Sequence, residues 1–258
     1  MHFTKESALR IHCNALNTGA TSKKALFPLK ATKQNFALAK CIFSSKQVFW
    51  TDSSSAPLEL FLYNIQMKII GIDEAGRGPL AGPVAVGACA LPENFDCKIF
   101  GLLRDSKKLS EKRREEIFAQ MQALKKEGAL NFSVALVSNK IIDDHGIVFA
   151  IKKGIEGVLQ KLNLDPRNAM VNLDGGLKAP KEYLNQETII KGDEKIPAIA
   201  LASIAAKVTR DRYMKEASKE CGGYGFEVHK GYGTKAHLVC IREKGLSAIH
   251  RKTFAFGR

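Results

Sequence analysis

From residue 67 onward, short apolar runs alternate with longer segments whose apolar residues recur at helical spacing. The apolar runs predict strands at 68–72, 83–91, 132–137, 169–173 and 188–190. The helical spacing predicts helices at 111–126, 147–162 and 197–219. Strands interleaved with helices indicate one α/β domain built on a central sheet.

The segment 111–126 carries a complete helix signature. Ser110 stands in the position of an N-cap, and Glu111 follows it in the first turn. The residues that share one apolar face are Ile117, Phe118, Met121 and Leu124. We therefore expect this helix to lie on the sheet with that face buried.

Residues 1–66 differ from the remainder in composition. They contain eight Lys or Arg and three acidic residues, a net charge of +5, and are rich in Ser, Thr, Asn and Ala without a sustained period. Three interpretations remain open: an organellar transit peptide, although Arg10 is the segment's only arginine; a disordered basic arm that adds affinity for nucleic acid; or a natural start at Met67. Each interpretation confines the folded domain to 67–258.

The charge of the whole chain favours a polyanionic partner. Its 258 residues carry a formal net charge of +14, and its pI is about 9.5, which suits nucleic acid or an anionic membrane surface. No run approaches the roughly 18 apolar residues of a membrane span, so no membrane insertion is expected. The six cysteines are scattered without a C-x-x-C pair, which indicates free thiols in a reducing compartment, the cytoplasm.

Acidic residues follow three of the predicted strands. Asp73 and Glu74 follow the first, Asp174 ends the run 169–173, and Asp193 follows the run 188–190. Ligands of open α/β sheets collect outside such strand ends. Four carboxylates there repel one another unless divalent cations neutralise them, and oxygen ligands select Mg²⁺ or Mn²⁺ over zinc. Two such ions can activate water and stabilise the leaving 3′ oxygen of a phosphodiester.

Regular strand geometry places one condition on this site. Neighbouring side chains of a strand point to opposite faces, so Asp73 and Glu74 cannot both point inward from an unbroken strand. Either the strand breaks there, or the two carboxylates contribute differently. The following Gly76-Arg77-Gly78 turn lets backbone N–H groups approach a ligand, and its arginine suits a phosphate.

A series of short motifs follows one order along nearly all of 68–258. They are Ile72-Asp73-Glu74-Ala75-Gly76-Arg77-Gly78-Pro79-Leu80-Ala81-Gly82-Pro83, Asp105-Ser106-Lys107-Lys108-Leu109-Ser110, Leu173-Asp174-Gly175, Lys191-Gly192-Asp193, Ala202-Ser203-Ile204-Ala205-Ala206-Lys207-Val208-Thr209-Arg210-Asp211, His229-Lys230-Gly231-Tyr232-Gly233-Thr234 and Ile249-His250-Arg251. Several ordered motifs over one long stretch are specific, and together they resemble the ribonuclease HII family. The sister family, ribonuclease HIII, typically has Gly-Thr-Gly at Gly76-Arg77-Gly78, so the bacterial type II family is favoured.

This resemblance implies a ribonuclease H-like fold, with a central mixed sheet flanked by helices and a small helical C-terminal part. It implies an endonuclease that hydrolyses the RNA strand of RNA·DNA hybrids and incises 5′ of ribonucleotides embedded in duplex DNA. Two Mn²⁺ or Mg²⁺ ions would serve as cofactors, and the ends would be 3′-hydroxyl and 5′-phosphate. A monomer is the simplest expectation for its assembly.

The resemblance also assigns residues to roles. The family's catalytic and metal-binding carboxylates fall on Asp73, Glu74, Asp174 and Asp193, with Asp73 bridging both ions. The residues that read the RNA–DNA junction fall on Gly76, Arg77, Gly78 and Tyr232. Those near the phosphates fall on Lys107, Lys207 and Arg210.

Several nearby residues have more ordinary interpretations. Lys207 and Arg210 share a face of the predicted helix, which could equally be a solvated surface. Asp211 is interpreted as a salt-bridge or helix residue and not as a fifth ligand. The histidines fit no zinc spacing and are expected to be structural or to border the substrate; they are His229, His237 and His250. Two alternative functions stay open: a ribonuclease that prefers long hybrids, and a nucleic-acid-binding protein without turnover.

Overall fold

The computed structural model describes residues 67–101, 103 and 109–255. Its strands are β1 (Lys68–Ala75), β2 (Val84–Pro92), β3 (Asn131–Val137), β4 (Ala169–Asp174) and β5 (Gln186–Ile189). Its α-helices are α1 (Glu111–Lys126), α2 (Asn139–His145), α3 (Ile147–Leu162), α4 (Gly192–Lys195), α5 (Pro197–Glu220), α6 (Phe226–His229), α7 (Lys235–Lys244) and α8 (Lys252–Ala255). Residues 1–66 and Lys107 lie outside the described residues, so the interpretations placed on them stay predictions.

The strands form one five-stranded mixed sheet in the order β3-β2-β1-β4-β5. The first three strands of the chain pair antiparallel, whereas β4 is parallel to β1 and β5 is parallel to β4. The carboxyl ends of β1, β4 and β5 therefore meet at one edge of the sheet. The predicted mixed α/β sheet is confirmed, and this edge brings together the ends of the three strands at which the sequence places acids.

Helices cover both faces of this sheet. One apolar cluster joins β1, β2 and β4 to α3, with Ile70, Ile72 and Ile155 at its centre. The other joins β1, β2 and β3 to α1 and α5, with Ile117 and Leu201 fully buried. The sheet thus has two buried faces, as expected for strands that read as continuous apolar runs.

Two glycines let α5 lie unusually close to the sheet. A Cβ atom on Gly71 would come within 2.1 Å of the backbone of Ala198, and one on Gly87 would come within 2.3 Å of the Ala202 carbonyl oxygen. Only glycine fits beneath the helix at these two positions. This close contact brings the side chain of Ser203, on the same helix, against the end of β1.

Most element boundaries predicted from the sequence are confirmed within two residues. Helix α1 spans the predicted residues, and the Ser110 side chain accepts a hydrogen bond from the backbone N–H of Arg113 at 3.2 Å. Helices α2 and α4 were not predicted, because each is only seven or four residues long. The small helical C-terminal part is confirmed by α6, α7 and α8. None of the helices in the described part of the chain is both long and apolar enough to cross a membrane.

Candidate active site

The strand β1 continues unbroken through both of its acids. Asp73 pairs with Gly87, Glu74 pairs with Val86, and the ladder extends to Ala75. Asp73 therefore lies on the face covered by α5 and is 2% exposed, whereas Glu74 belongs to the opposite face and is partly buried. The strand therefore does not break at the acids, and the two carboxylates occupy different positions, which is the second of the alternatives left open by the sequence. Both acids still line one cleft, which lies at the end of β1.

Asp73 is a carboxyl group without enough partners. Its Oδ1 accepts the backbone N–H of Glu74 at 2.7 Å, but its Oδ2 is buried and has no hydrogen-bond partner among the described residues. Burial raises the pKa of Asp73 to about 7; the hydroxyl of Ser203 lowers it, and the charges of Glu74 and Asp174 raise it further. A cation bound beside Oδ2 would offset the cost of burying the Asp73 carboxylate and its repulsion by Glu74 and Asp174.

Asp174 is the last residue of β4 and lies beside Asp73. The parallel register pairs Ile72 with Leu173, which places the next residue of each strand at the same edge of the sheet. Asp174 lines the cleft, and its Oδ1 accepts the backbone N–H of Gly192 at 2.7 Å. This hydrogen bond joins the ends of β4 and α4. It fixes the orientation of the Asp174 carboxylate.

Asp193 lies at this edge in an unexpected element. It occupies the first turn of α4, not the end of a strand, because β5 stops at Ile189 and Lys191 takes a left-handed backbone conformation. Its side chain is 3% exposed and is not among those that line the cleft. Within the described residues, no group of three or more acidic, His or Cys side chains encloses a common point as a metal site would. The acids predicted for one metal site therefore lie at one edge of the sheet, but their side chains do not converge on one point within the described residues.

The Gly-Arg-Gly segment forms the loop that follows β1. Gly76 is buried and has φ 87°, a conformation that favours glycine. Arg77 is exposed, and its Nη1 lies 3.2 Å from Glu74 Oε1; an ion pair this exposed contributes little stability. Gly78 is exposed at the cleft, and a Cβ atom there would have no atom of the described residues within 4 Å apart from its chain neighbours. Gly76 is thus required by the backbone conformation of the loop, whereas Gly78 leaves open space at the cleft.

Basic side chains and an aromatic ring also line the cleft. The cleft has a volume of about 370 Å³ and is bordered by Arg114, Lys207 and Tyr232 as well as by the acids. Tyr232 is 44% exposed. Lys207 forms a salt bridge with Asp211 at 2.7 Å, which confirms the salt-bridge interpretation of Asp211. Arg114 was not predicted as a site residue. The sequence gives no signal for this role beyond its position on α1, three residues before Ile117.

Arg210 does not occupy the exposed helix face on which it was predicted. It is fully buried, because its guanidinium donates to the carbonyl oxygens of Pro83 at 2.9 Å and Ala81 at 3.1 Å. The prediction that Arg210 and Lys207 share one face towards the phosphates is wrong for Arg210. The hydrogen bonds to the loop after β1 turn its side chain inwards.

The three histidines form a stacked structural group behind Tyr232. His237 Nε2 lies 3.0 Å from His250 Nε2, and His237 Nδ1 lies 2.9 Å from the carbonyl oxygen of Tyr232. His229 stacks on His237 with ring centroids 4.3 Å apart. The pKa of His250 is lowered to about 4, mainly by burial and then by the charge of His237, so His250 is neutral at physiological pH. Their predicted structural role fits these contacts.

Comparisons with known proteins agree on one family. The family model described as ribonuclease HII matches residues 70–256. Ribonuclease HII of Endomicrobium trichonymphae is 45% identical over 187 residues, which cover 72% of this chain and 85% of that protein. Ribonuclease HII of Archaeoglobus fulgidus, solved in complex with PCNA, superposes with a TM-score of 0.59 at 25% identity, covering 72% of this chain and 94% of that one.

A third similarity concerns the fold alone. Bst-RNase HIII, solved in complex with Mn²⁺, superposes with a TM-score of 0.54 at 20% identity and covers 98% of this chain and 85% of that one. The family match extends over the sheet, the acids at its edge and the loop after β1. The chain belongs to the ribonuclease HII family of nucleases.

Proposed function

We propose that this protein is a divalent-metal-dependent endonuclease that incises duplex DNA on the 5′ side of an embedded ribonucleotide. It also hydrolyses the RNA strand of RNA·DNA hybrids, and leaves 3′-hydroxyl and 5′-phosphate ends. The observation that carries this proposal is the buried Oδ2 of Asp73, which has no hydrogen-bond partner among the described residues and faces two further carboxylates in a cleft with basic walls.

The residues at the sheet edge fit hard divalent cations. Asp73, Glu74 and Asp174 supply only oxygen atoms, which Mg²⁺ and Mn²⁺ prefer. Asp193 follows Gly192, whose N–H binds Asp174, and we propose it as the fourth carboxylate of this site. Ions held there would supply the charge that lowers the pKa of an attacking water molecule and offsets the charge developing at the scissile phosphate.

The chain's own groups would position the substrate around these carboxylates. Lys207 and Arg114 border the cleft and would hold backbone phosphates, a contact that positions the strand without reading its sequence. Asp211 keeps the Lys207 ammonium fixed at 2.7 Å. Lys107 is proposed for the same kind of contact. Arg210 is not, since its guanidinium is buried beneath the loop.

Recognition of the ribonucleotide is assigned to the Gly76–Gly78 loop and Tyr232. The 2′-hydroxyl both donates and accepts a hydrogen bond, and it distinguishes RNA from DNA at one nucleotide. Backbone groups at Gly78 can approach it closely, because the exposed glycine leaves open space at the cleft. The ring of Tyr232 would pack on the adjoining sugar or base.

The direct test uses the full chain and a labelled DNA duplex that contains one ribonucleotide, with Mg²⁺, Mn²⁺ or EDTA. We expect metal-dependent incision on the 5′ side of the ribonucleotide. Cleavage of a long RNA·DNA hybrid without this incision would instead favour a ribonuclease that prefers hybrids. Tight binding of both substrates without cleavage of either would favour a binding protein without turnover.

Substitution of Tyr232 by Ala should selectively weaken recognition of the junction. A stacking contact contributes about 1–3 kcal/mol per base, so we expect incision at a single ribonucleotide to fall about tenfold or more, while affinity for an all-DNA duplex changes little. The measurement is kcat/KM on the junction substrate beside the Kd for the DNA duplex. Tyr232→Phe, which keeps the ring, is the matched control and should retain most of the activity. Equal losses in both measurements for Tyr232→Ala would contradict the assigned role.

A further inference from the structure

A fully buried arginine from the C-terminal segment lies beneath the loop that follows β1. Arg251 donates from Nη2 to the Gly76 carbonyl oxygen at 2.7 Å, from Nη1 to the Arg77 carbonyl at 3.0 Å and from Nε to the Gly82 carbonyl at 2.9 Å. Its exposed fraction is 0%. One planar guanidinium therefore holds both ends of the loop at three points.

Arg210 reinforces this arrangement from α5. Its hydrogen bonds go to the carbonyl oxygens of Ala81 and Pro83, so the two arginines together hold five carbonyl groups between 76 and 83. Burial, and then the charge of Arg210, lower the pKa of Arg251 to about 9. Two buried guanidinium groups side by side are costly to fold. Packing alone does not account for them, since apolar side chains would fill the same volume at lower cost.

The hydrogen bonds to Arg251 determine where the loop's N–H groups point. In a trans peptide, the C=O of one residue and the N–H of the next point in opposite directions, and the described residues contain no cis peptide bond. Because the carbonyls of Gly76 and Arg77 point towards Arg251, the N–H groups of Arg77 and Gly78 point away from it. Both residues border the cleft, whereas Arg251 does not. Arg251 thus turns two successive donors towards the position of a substrate.

The backbone around Arg251 is itself fixed. Its N–H donates to the Leu80 carbonyl at 2.8 Å, and the N–H of Gly82 donates to the Ile249 carbonyl at 2.8 Å. A β-bridge pairs His250 with Ala81. The C-terminal segment and the loop after β1 therefore form one short antiparallel contact, from which the guanidinium reaches the loop with little freedom to move.

We propose that Arg251 is a positioning residue for ribonucleotide recognition, because it orients the N–H groups of Arg77 and Gly78 towards the cleft without contacting substrate. This inference rests on the proposed function. It adds the C-terminal segment, which no catalytic role explains, to the machinery that distinguishes one ribonucleotide in DNA from a continuous hybrid. A long hybrid offers many 2′-hydroxyl groups and depends less on the exact direction of two donors.

The test compares Arg251→Lys and Arg251→Met with the full-length wild-type protein on two substrates. Lysine keeps the charge but can reach about one of the three carbonyls. We expect kcat/KM at a single ribonucleotide to fall about 10- to 100-fold, the range found for groups that orient a primary ligand, and clearly less on a long RNA·DNA hybrid. Hydrogen exchange of the hydrogen-bonded backbone amides of Leu80 and Gly82, which are protected only while the loop keeps its position, should accelerate in both variants. Melting temperatures, with assays well below them, separate recognition from loss of folded protein.

Arg113→Lys is the matched control, because Arg113 also donates to a backbone carbonyl, that of Phe100 at 2.7 Å, away from the loop. It should leave the ratio of the two activities and the exchange of the Leu80 and Gly82 amides unchanged. An unchanged ratio in the Arg251 variants, or unchanged exchange, would overturn the inference. A wild-type protein inactive on both substrates would refute the proposed function instead, while the exchange of the Leu80 and Gly82 amides would still decide whether Arg251 holds the loop.

Discussion

Replacing Asp73 with Asn should abolish cleavage while making the metal-free protein more stable at pH 8. A carboxylate that holds catalytic metal ions contributes several kcal/mol to the transition state, so we expect a loss of at least about 10³-fold in kcat. In most enzymes, a substitution at a buried site costs stability. Here the opposite sign is expected, because Asp73 Oδ2 has no hydrogen-bond partner in the described part of the chain.

The sign follows from the pKa of Asp73, which burial raises from 3.8 to about 7 in the folded protein. Between these two values the folded protein binds more protons than the unfolded chain, so stability falls as the pH rises through that interval. The cost is complete above pH 7 and amounts to on the order of 4 kcal/mol, at about 1.4 kcal/mol per unit. An asparagine side chain removes this cost, because it is neutral at every pH and can still accept the N–H of Glu74.

Thermal unfolding in EDTA measures this prediction. The Asp73→Asn substitution should raise the melting temperature by several degrees at pH 8, and the difference from wild type should disappear near pH 4. Added Mn²⁺ should then stabilise wild type and not the variant. Asp211→Asn is the matched control: Asp211 is similarly buried on α5 but is paired with Lys207, so its loss should lower stability. A lower melting temperature for Asp73→Asn at pH 8 would contradict the assignment.

The sequence predicted those parts of the molecule that depend on local patterns. β1 and α1 were found from apolar runs and helical spacing, and the Ser110 cap from its place before α1. The acids at the sheet edge were found because carboxylates follow three separate apolar runs of one basic chain, although any one of them alone could be a solvated loop residue. Asp193 was placed on the wrong kind of element, because a helix of four residues has too little sequence to show a period.

The parts that sequence reasoning missed depend on contacts between distant segments. Arg210 looks like any exposed basic residue late in a helix, and only the carbonyl oxygens of Ala81 and Pro83, more than 120 residues away, make it a buried one. Arg251 belongs to a family motif, but nothing local indicates that it binds the loop after β1. Charged residues are almost never fully buried, so pattern analysis assigns them to the surface by default.

Alanine at Gly76 and alanine at Gly78 should have different effects on stability, although both should reduce incision at a ribonucleotide. At Gly76, φ is 87° and a Cβ atom would lie 2.0 Å from Arg210 Nε. Arg210 cannot withdraw without breaking its hydrogen bonds to Ala81 and Pro83. The left-handed conformation alone costs on the order of 1 kcal/mol, so Gly76→Ala should lower the melting temperature and also distort the loop.

Gly78→Ala isolates the contact with substrate. Its φ lies outside the left-handed region, and its Cβ would meet no atom within 4 Å among the described residues beyond its chain neighbours, so the melting temperature should be unchanged. If the ribonucleotide approaches the Gly78 backbone as proposed, the new methyl group occupies the space of the substrate, and kcat/KM on a duplex with one ribonucleotide should fall about tenfold or more. Wild-type kinetics in Gly78→Ala would place the ribonucleotide elsewhere. A fall in activity without any fall in stability is a result that a damaged fold cannot produce, because the loop tolerates the methyl group until a substrate competes for the same space.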